Sequence, residues 1–341
     1  MNVLITSASR KVSLVKAFQL ALAQEGGGHV IAVDASPESP ALYFADKAYI
    51  VPSGLGQNFI SALQHICRDH DVRLLIPTRD EELPFFAEYK ELFTHLGVLI
   101  MLPNENTIRI CQDKLLFAKF CLQSGFSVPS ILFEPKNIKQ YPVFVRDRFS
   151  KGGKGAFRVN SELQLEDLLL RLRFPLVQEY INAPEYTVDL FADLSGQVIS
   201  VVPRERLAIF GGESFISRTC KNWNILQESI RLAQELGLVG HNILQCFWHE
   251  DRVKFIEVNL RWGGGSSLSF AAGAFTPLTA VRLALGREVK PSIGEFQDNY
   301  YMLRYTEDVF LGGHDLTQIK LYQNDYQSEV LNVNERVEKG D

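Results

Sequence analysis

The chain has 341 residues, of which 46% are hydrophobic and 22% are charged, and its formal net charge is −5. A chain of this length exceeds one ordinary hydrophobic core, so we expect two or three subdomains. The weak net charge comes without a stripe or tail rich in Lys and Arg, which argues against nucleic acid as a partner.

The five cysteines are scattered along the chain and show no spacing typical of a metal site. Such a set favours a reduced protein over a disulfide framework. No apolar run reaches the roughly 18 residues that a membrane span needs. The first residues form an apolar run typical of a strand, and they lack the basic region of a signal peptide. We therefore expect a cytoplasmic protein with no membrane partner.

Strand and helix signals alternate over the first hundred residues. The predicted strands are 3–6, 29–33, 49–51, 73–76 and 99–102, and the predicted helices are 11–24, 59–69 and 82–94. This alternation is typical of a parallel sheet with helical crossovers. Ligands of such sheets bind beyond the carboxyl ends of the strands, which here are segments 6–11, 34–40 and 77–82.

A dinucleotide-binding domain is an alternative for this half, because Asp34 ends the second strand. The first turn reads Thr-Ser-Ala-Ser-Arg-Lys at 6–11 and contains no glycine. The close approach to a pyrophosphate that a GxGxxG turn permits is therefore not encoded, and NAD binding is disfavoured.

The pattern changes near Pro103. A helix is expected over 104–124, and strands are expected between 128 and 220, with a loop at 150–155 and a turn at 193–196. The remaining elements are a helix at 224–236, a hairpin of strands 243–248 and 253–260, a mainly helical stretch at 269–285 and a strand at 300–305.

Three polar residues alternate along the second hairpin strand. In an extended strand Glu257, Asn259 and Arg261 point to one face, while the apolar residues between them point to the other. Carboxylate and amide oxygens suit Mg²⁺, and an arginine two residues further suits a phosphate or carboxylate. The alternative interpretation is a solvated strand face.

The loop 150–155 reads Ser-Lys-Gly-Gly-Lys-Gly and lies between two predicted strands, the first of which carries Arg146. Glycines allow backbone N–H groups to turn toward phosphate oxygens, and the lysines add positive charge. The spacing is not that of a Walker A motif. A flexible surface hairpin is the alternative interpretation.

Further candidates lie on the neighbouring predicted strands. In the stretch 176–189, a short connector before the strand that begins at Glu185 offers main-chain groups for an adenine edge, and a carboxylate that follows could accept hydrogen bonds from ribose hydroxyls. Gln245 would meet Glu257 across the hairpin. Arg204 and Arg206 share one face of a strand and suit an anionic substrate or the charge of a phosphoryl group in transfer. The alternative interpretation is a surface charge for the carboxylate and an edge-strand charge for each of the two arginines.

The order of these motifs resembles that of ATP-grasp enzymes, most closely the branch of the carbamoyl-phosphate synthase large subunit. The resemblance covers roughly residues 1–290. It implies an α/β fold with a parallel-sheet pre-ATP-grasp domain at 1–103. An ATP-grasp domain follows at 104–290, with a lid at about 127–178 and an antiparallel C-terminal subdomain, and 291–341 is an extension.

The resemblance also implies site residues and cofactors, namely ATP and Mg²⁺, with Mn²⁺ as a substitute metal. The metal ligands would be Gln245, Glu257 and Asn259, and the catalytic residues Arg261 and Arg204. Glutamine at 245 and arginine at 146 replace the acid and the lysine of many relatives, as in the synthase branch. The residues implied for ATP binding are Lys114, Arg146, Lys151, Gly152, Gly153, Lys154, Gly155, Gln178, Glu179, Tyr180, Ile181 and Glu185.

The function implied is an ADP-forming ligase that activates a small-molecule carboxylate as an acyl phosphate for attack by an amine. The chain holds one such unit, whereas the full synthase has two in tandem. An enzyme that phosphorylates bicarbonate or carbamate is one alternative, and a non-catalytic nucleotide-binding module is another. Homodimers are common among similar enzymes. In this family the substrate is bound by segments 6–11, 34–40, 77–82 and 263–269 and by Arg204.

Overall fold

The computed structural model describes residues 1–150, 153, 155–313 and 315–321. The chain divides into two compact units. The first comprises Met1–Ile76, Lys90–Ile100 and the described residues from Asp308 onward, and the second comprises Pro77–Tyr89 and Met101–Glu307. Within the described ranges, no helix is both long and apolar enough to cross a membrane.

The secondary structure alternates in the first unit and is richer in strands in the second. The strands are β1 (Asn2–Ile5), β2 (Val30–Asp34), β3 (Lys47–Ile50), β4 (Val72–Ile76), β5 (Leu99–Ile100), β6 (Val143–Asp147), β7 (Ala156–Val159), β8 (Pro175–Glu179), β9 (Glu185–Ala192), β10 (Val198–Phe210), β11 (Glu213–Thr219), β12 (Gly240–His249), β13 (Arg252–Asn259), β14 (Tyr301–Leu303) and β15 (Lys320–Leu321). The α-helices are α1 (Val12–Gln24), α2 (Gln57–Asp69), α3 (Glu82–Glu88), α4 (Lys90–His95), α5 (Glu105–Gln112), α6 (Lys114–Gln123), α7 (Glu162–Arg171), α8 (Trp223–Leu236), α9 (Ser266–Ala271), α10 (Thr276–Ala284) and α11 (Asp315–Gln318). Two 3₁₀ helices lie at Pro40–Tyr43 and Pro135–Asn137.

The first unit is built on a parallel sheet with the strand order β15-β3-β2-β1-β4-β5. Its central strands are apolar and almost fully buried, as expected for strands covered on both faces. The predicted parallel α/β domain is confirmed. The turn after β1 contains Ser7 and Ser9 at φ of 46° and 45°. Asp34 fixes this turn, because its carboxylate accepts the Ser9 N–H at 2.8 Å.

The second unit contains two antiparallel sheets, which confirms the predicted fold class. The smaller has the order β7-β6-β8. The larger has the order β13-β12-β9-β10-β11-β14, and α8 packs against one of its faces. The predicted hairpin turn is present at Glu250 and Asp251, which both adopt left-handed φ values, 51° and 55°.

The prediction of strands rather than long helices between 128 and 177 missed one helix, because α7 lies within this range. Leu165 and Leu168 of α7 pack against the valines of β6, β7 and β8. Leu163 and Leu170, by contrast, are 79% and 88% exposed. These exposed leucines mask the amphipathic period by which a helix is recognised in sequence.

Two stretches predicted as single helices are each broken into two, and the stretch 269–285, predicted as mainly helical, also contains two helices. The stretch 104–124 divides at Asp113, whose backbone is extended (φ −121°, ψ 105°). Its carboxylate accepts the N–H groups of Leu115 and Leu116 at 3.0 and 3.2 Å and caps α6. The stretch 82–94 divides at Tyr89, and 269–285 divides at Gly273, where φ is +114°. Local caps and backbone conformations thus interrupt a continuous apolar period.

We predict that Asp113→Ala lowers the free energy of unfolding more than Asp113→Asn does. Asparagine retains the cap of α6, whereas both variants lose the ion pair with Arg148. The difference between them should be about 1 kcal/mol, the usual value of an N-cap. Urea denaturation measures both values, and the exposed Asp167→Asn serves as the control. Equal stabilities of the two Asp113 variants would contradict this role of the cap.

Candidate functional site

The larger sheet carries a row of polar side chains on one face. Glu257 on β13 pairs with Gln245 on β12, which pairs with Thr187 on β9, and Thr187 pairs with Arg204 on β10. Cross-strand partners share a face, so these side chains lie on the same surface. The alternating residues Val258, Leu244 and Val188 are at most 3% exposed on the other face.

Glu257 lies at one end of this row with Asn259 beside it. The Asn259 Nδ2 donates to Glu257 Oε1 at 3.3 Å. Two cations approach the other carboxylate oxygen, because Lys114 Nζ and Arg146 Nη1 each lie 3.9 Å from Oε2. The structure therefore brings three predicted site residues, Asn259, Lys114 and Arg146, around the Glu257 carboxylate, with Gln245 adjacent in register.

Lys114 and Arg146 are both buried where they meet Glu257. Lys114 is the first residue of α6, and its Nζ also donates to the carbonyl of Ser150 at the start of the glycine loop. Arg146 on β6 donates through Nη2 to the carbonyl of Ile256 at 3.1 Å. The two cations thus connect the loop and the smaller sheet to β13.

Arg146 is 5% exposed, and its Nε makes no hydrogen bond within the described residues. Burial lowers the pKa of Arg146 from its ordinary value, while the carboxylates of Glu257 and Glu185 oppose this shift. The guanidinium stays charged, since an arginine pKa lies far above neutral pH. A buried cation with a spare donor is suited to an anionic ligand.

A cleft lies beside this cluster and is lined by Asp80, Lys114, Ser150, Glu257 and Asn259, among others. Arg261 donates to Asp80 Oδ2 through Nε at 3.1 Å and Nη2 at 3.0 Å. Asp80 was not singled out from the sequence, although its segment, 77–82, was predicted to bind substrate. Asp80 could have been identified from the sequence as a carboxylate within this predicted substrate-binding segment.

The predicted adenine connector is tied to its surroundings by side chains. Glu179 accepts hydrogen bonds from Lys254 Nζ at 2.8 Å and from the N–H of Ser130 at 2.9 Å. Burial acts to raise the pKa of Glu179, but these hydrogen bonds hold it below its usual value. Gln178 donates to the carbonyl of Pro129 at 3.2 Å. Any adenine contact here would therefore use the main chain around 179–181.

The other connector residues and the glycine loop are placed as follows. The ring of Tyr180 lies 4.6 Å from the Arg158 guanidinium, and Ile181 is buried.

The Glu185 carboxylate is paired with Arg206, which also donates to the carbonyl of Gly212 at 2.7 Å. Gly153 and Gly155 both have φ of +71°, which favours glycine. Lys151, Gly152 and Lys154 lie outside the described residues.

Arg204 belongs to a buried network centred on Asp189, which sequence reasoning did not single out. Asp189 Oδ1 accepts from Ser266 Oγ at 2.6 Å and lies 3.2 Å from His241 Nε2. Its Oδ2 accepts from Arg204 Nε and Ser269 Oγ. A carboxylate offers about four lone-pair sites, so all those of Asp189 are used. Arg204 Nη1, in contrast, makes no hydrogen bond within the described residues.

The glycine segment 263–265 crosses the face of this sheet in close contact with it. A Cβ on Gly263 would lie 3.2 Å from the Ile243 side chain on β12. A Cβ on Gly265 would lie 2.6 Å from Arg204 Nη1 on β10. A side chain at either position would require a shift of the segment or of the side chain that it contacts. The glycines therefore permit packing over the Asp189 network.

We predict that Asp189 makes stability depend on pH in acid. Burial acts to raise its pKa, but the charge of Arg204 and the hydrogen bond from His241 hold it far below its usual value. A lowered folded-state pKa contributes stability above the unfolded pKa of about 3.9, and this contribution is lost as the pH falls below that value. Asp189→Asn should thus lose about 3–5 kcal/mol at pH 7, because it leaves Arg204 buried and unpaired.

Urea denaturation from neutral pH down to about pH 3 measures this dependence, since that range includes the unfolded-state pKa. The gap between wild type and Asp189→Asn should narrow in acid, where the wild-type carboxylate loses its advantage. The exposed Asp167→Asn should instead follow the wild-type curve. A gap that stays constant with pH would contradict the lowered pKa of Asp189.

Two protein-family models match separate parts of the chain. Residues 3–101 match the family model "PylC-like, N-terminal domain", and residues 172–307 match "ATP-grasp in the biosynthetic pathway with Ter operon". The carbamoyl phosphate synthase large chain of Gemmatimonas aurantiaca is 26% identical over 301 residues. This match covers 81% of the chain and 27% of that relative, so the chain spans about a quarter of its length.

Solved structures show the same fold at low sequence identity. The biotin carboxylase domain of 2-oxoglutarate carboxylase from Hydrogenobacter thermophilus, solved with MgADP and bicarbonate, has a TM-score of 0.69 at 16% identity. It matches 88% of this chain and 73% of that one. The L-amino acid ligase from Bacillus licheniformis has a TM-score of 0.65 at 16% identity, with 84% and 75% covered. The chain thus carries a match to a PylC-like N-terminal domain at 3–101, followed by a match to an ATP-grasp family model at 172–307.

Proposed function

We propose that the chain is an ATP-dependent ligase that converts a small-molecule carboxylate into an acyl phosphate, which an amine then attacks. ADP and phosphate would be released. The observation that carries this proposal is the Glu257 carboxylate, which lies 3.9 Å from both Lys114 Nζ and Arg146 Nη1. Carboxylate and amide oxygens beside buried cations are the arrangement that a metal-bound polyphosphate requires.

The donor set fits Mg²⁺. Gln245, Glu257 and Asn259 offer the oxygen ligands that this metal prefers, and both cations are too far from Glu257 to form a tight ion pair. These three residues would hold the metal, with Mn²⁺ as a substitute. When bound, the metal would neutralise phosphate charge and orient the phosphoryl group.

The remaining predicted residues would act by positioning and by charge. Lys114 and Arg146 would neutralise the phosphates of ATP, and the loop 150–155 would cover them. The main chain of 179–181 would contact adenine, and Glu185 would bind the ribose. Arg261 borders the cleft through Asp80 and would stabilise the phosphoryl group in transfer. Arg204, with its spare Nη1 donor, would bind an anionic group of the substrate.

Phosphorylation of bicarbonate is a second candidate function. It is favoured by the match to carbamoyl phosphate synthase and by a solved neighbour that holds bicarbonate. ADP release that depends on bicarbonate alone would identify this case. A non-catalytic nucleotide-binding module is a third candidate, and an unchanged activity of Glu257→Gln would favour it. Homodimerisation stays a prediction that sedimentation velocity would test.

We predict that ADP, and not AMP, is released when the right acid and amine are added with Mg²⁺. The screen pairs the standard amino acids and small carboxylic acids and measures ADP by a coupled assay. Glu257→Gln should reduce the rate on the order of 100-fold, because it removes the charged oxygen ligand of the metal. The exposed Asp167→Asn should keep the wild-type rate. Release of AMP and pyrophosphate would overturn the proposal.

A further inference from the structure

A second carboxylate lies in the cleft beside the residue assigned to the phosphoryl group. From its geometry we propose that Asp80 is the amine site of the ligase: its Oδ1 binds the ammonium group of the incoming amine and accepts a proton from it. This inference rests on the proposed function and adds the nucleophile's position, for which no residue has been assigned.

The position of Asp80 is fixed by three hydrogen bonds. Its backbone carbonyl accepts from Gln112 Nε2 at 2.5 Å, and its Oδ2 accepts both donors of Arg261. The residue is only 7% exposed, yet it lines the same cleft as Glu257 and Asn259. Oδ1 makes no hydrogen bond to any residue that the structure describes. A nearly buried carboxylate is thus held in place with one oxygen available to a ligand.

The form of the ion pair argues against a purely structural role. An arginine and a carboxylate that only orient each other commonly form a fork, in which two N–H groups meet two oxygens. Here Nε and Nη2 of Arg261 both donate to Oδ2 of Asp80. Oδ1 is therefore not needed to hold Arg261, and its lone pairs can accept hydrogen bonds from a ligand.

Charge decides which ligand suits Oδ1. Phosphate oxygens are repelled by a carboxylate, so ATP is not its ligand. A divalent metal ion is disfavoured more strongly than a monovalent ammonium group, because the Arg261 guanidinium lies 3.0 Å from the same carboxylate and repels a double charge more. A protonated amine brings positive charge and N–H donors, both of which Oδ1 can satisfy. The ligand class is therefore a primary amine or ammonia, in its protonated form at neutral pH.

The reaction step balances as follows. Oδ1 takes one proton from the ammonium group, and the nitrogen gains a free electron pair. This pair forms the bond to the carbonyl carbon of the acyl phosphate. The bond between that carbon and the phosphate oxygen then breaks, and phosphate leaves with its electron pair. The second proton of the nitrogen passes to the leaving phosphate, and Asp80 returns its proton to water.

The experiment compares two nucleophiles on wild type, Asp80→Asn and Asp80→Glu. Hydroxylamine is neutral at pH 7 and traps an acyl phosphate as a hydroxamate without needing a base. Ammonium chloride and the standard amino acids are protonated and need to lose a proton. With each acid of the panel, ADP release, hydroxamate and amide are measured separately. Asp167→Asn is the carboxylate-to-amide control.

For Asp80→Asn we expect hydroxamate formation within about threefold of wild type and amide formation reduced by about 10²–10⁴-fold, the usual contribution of a general base. Its residual amide formation should rise with pH, because free amine then replaces the base. Asp80→Glu keeps the charge, so it should retain more amide formation than Asp80→Asn. It also provides a readout if Asp80→Asn does not fold.

Other outcomes overturn the inference. Equal losses of hydroxamate and amide in both Asp80 variants would show that Asp80 only orients Arg261. Unchanged amide formation in Asp80→Asn would show that the amine binds elsewhere. Failure of the proposed function is a separate result, since wild type would then release no acid-dependent ADP and form no hydroxamate with any acid.

Discussion

The ATP-grasp part of the chain depends on one buried carboxylate, Asp189, whose two oxygens are saturated by four donors. These donors come from β10, β12 and the segment that follows β13. A buried ion is tolerated only where its charge and lone pairs are compensated, so none of these partners can shift independently. The network therefore holds Arg204 on the sheet and fixes the glycine segment that leaves β13 just after Arg261.

The site itself is organised by a separation of charge. Glu257 meets Lys114 and Arg146 at 3.9 Å on one of its carboxylate oxygens. Asp80, in contrast, meets Arg261 at 3.0 Å and leaves one oxygen open. The carboxylate proposed to bind the metal and the carboxylate proposed to bind the amine thus differ in the distance and geometry of their neighbours. The two proposed roles are distinguished by the ion pairs that each carboxylate makes, and not by the net charge of the chain.

Part of the candidate site could be predicted from the sequence, because the spacing of residues within one strand or hairpin places their side chains. Glu257, Asn259 and Arg261 lie on one face because side chains alternate along a strand. Gln245 pairs with Glu257 because the two strands form a hairpin. Asp80, Asp189 and His241 follow no such rule, since their partners lie far away in the chain. Helix α7 was missed for a related reason, because its exposed leucines obscure the amphipathic pattern.

By itself the sequence determined the parallel α/β unit, the antiparallel sheets and the face on which the polar residues of β13 lie. These features depend on periodicity and on the order of motifs, which neighbouring residues encode. Only the tertiary structure decided which charges meet: Arg204 with Asp189, Arg206 with Glu185 and Arg261 with Asp80. Ion pairs form between side chains that folding brings within a few ångströms, and no local pattern specifies those distances.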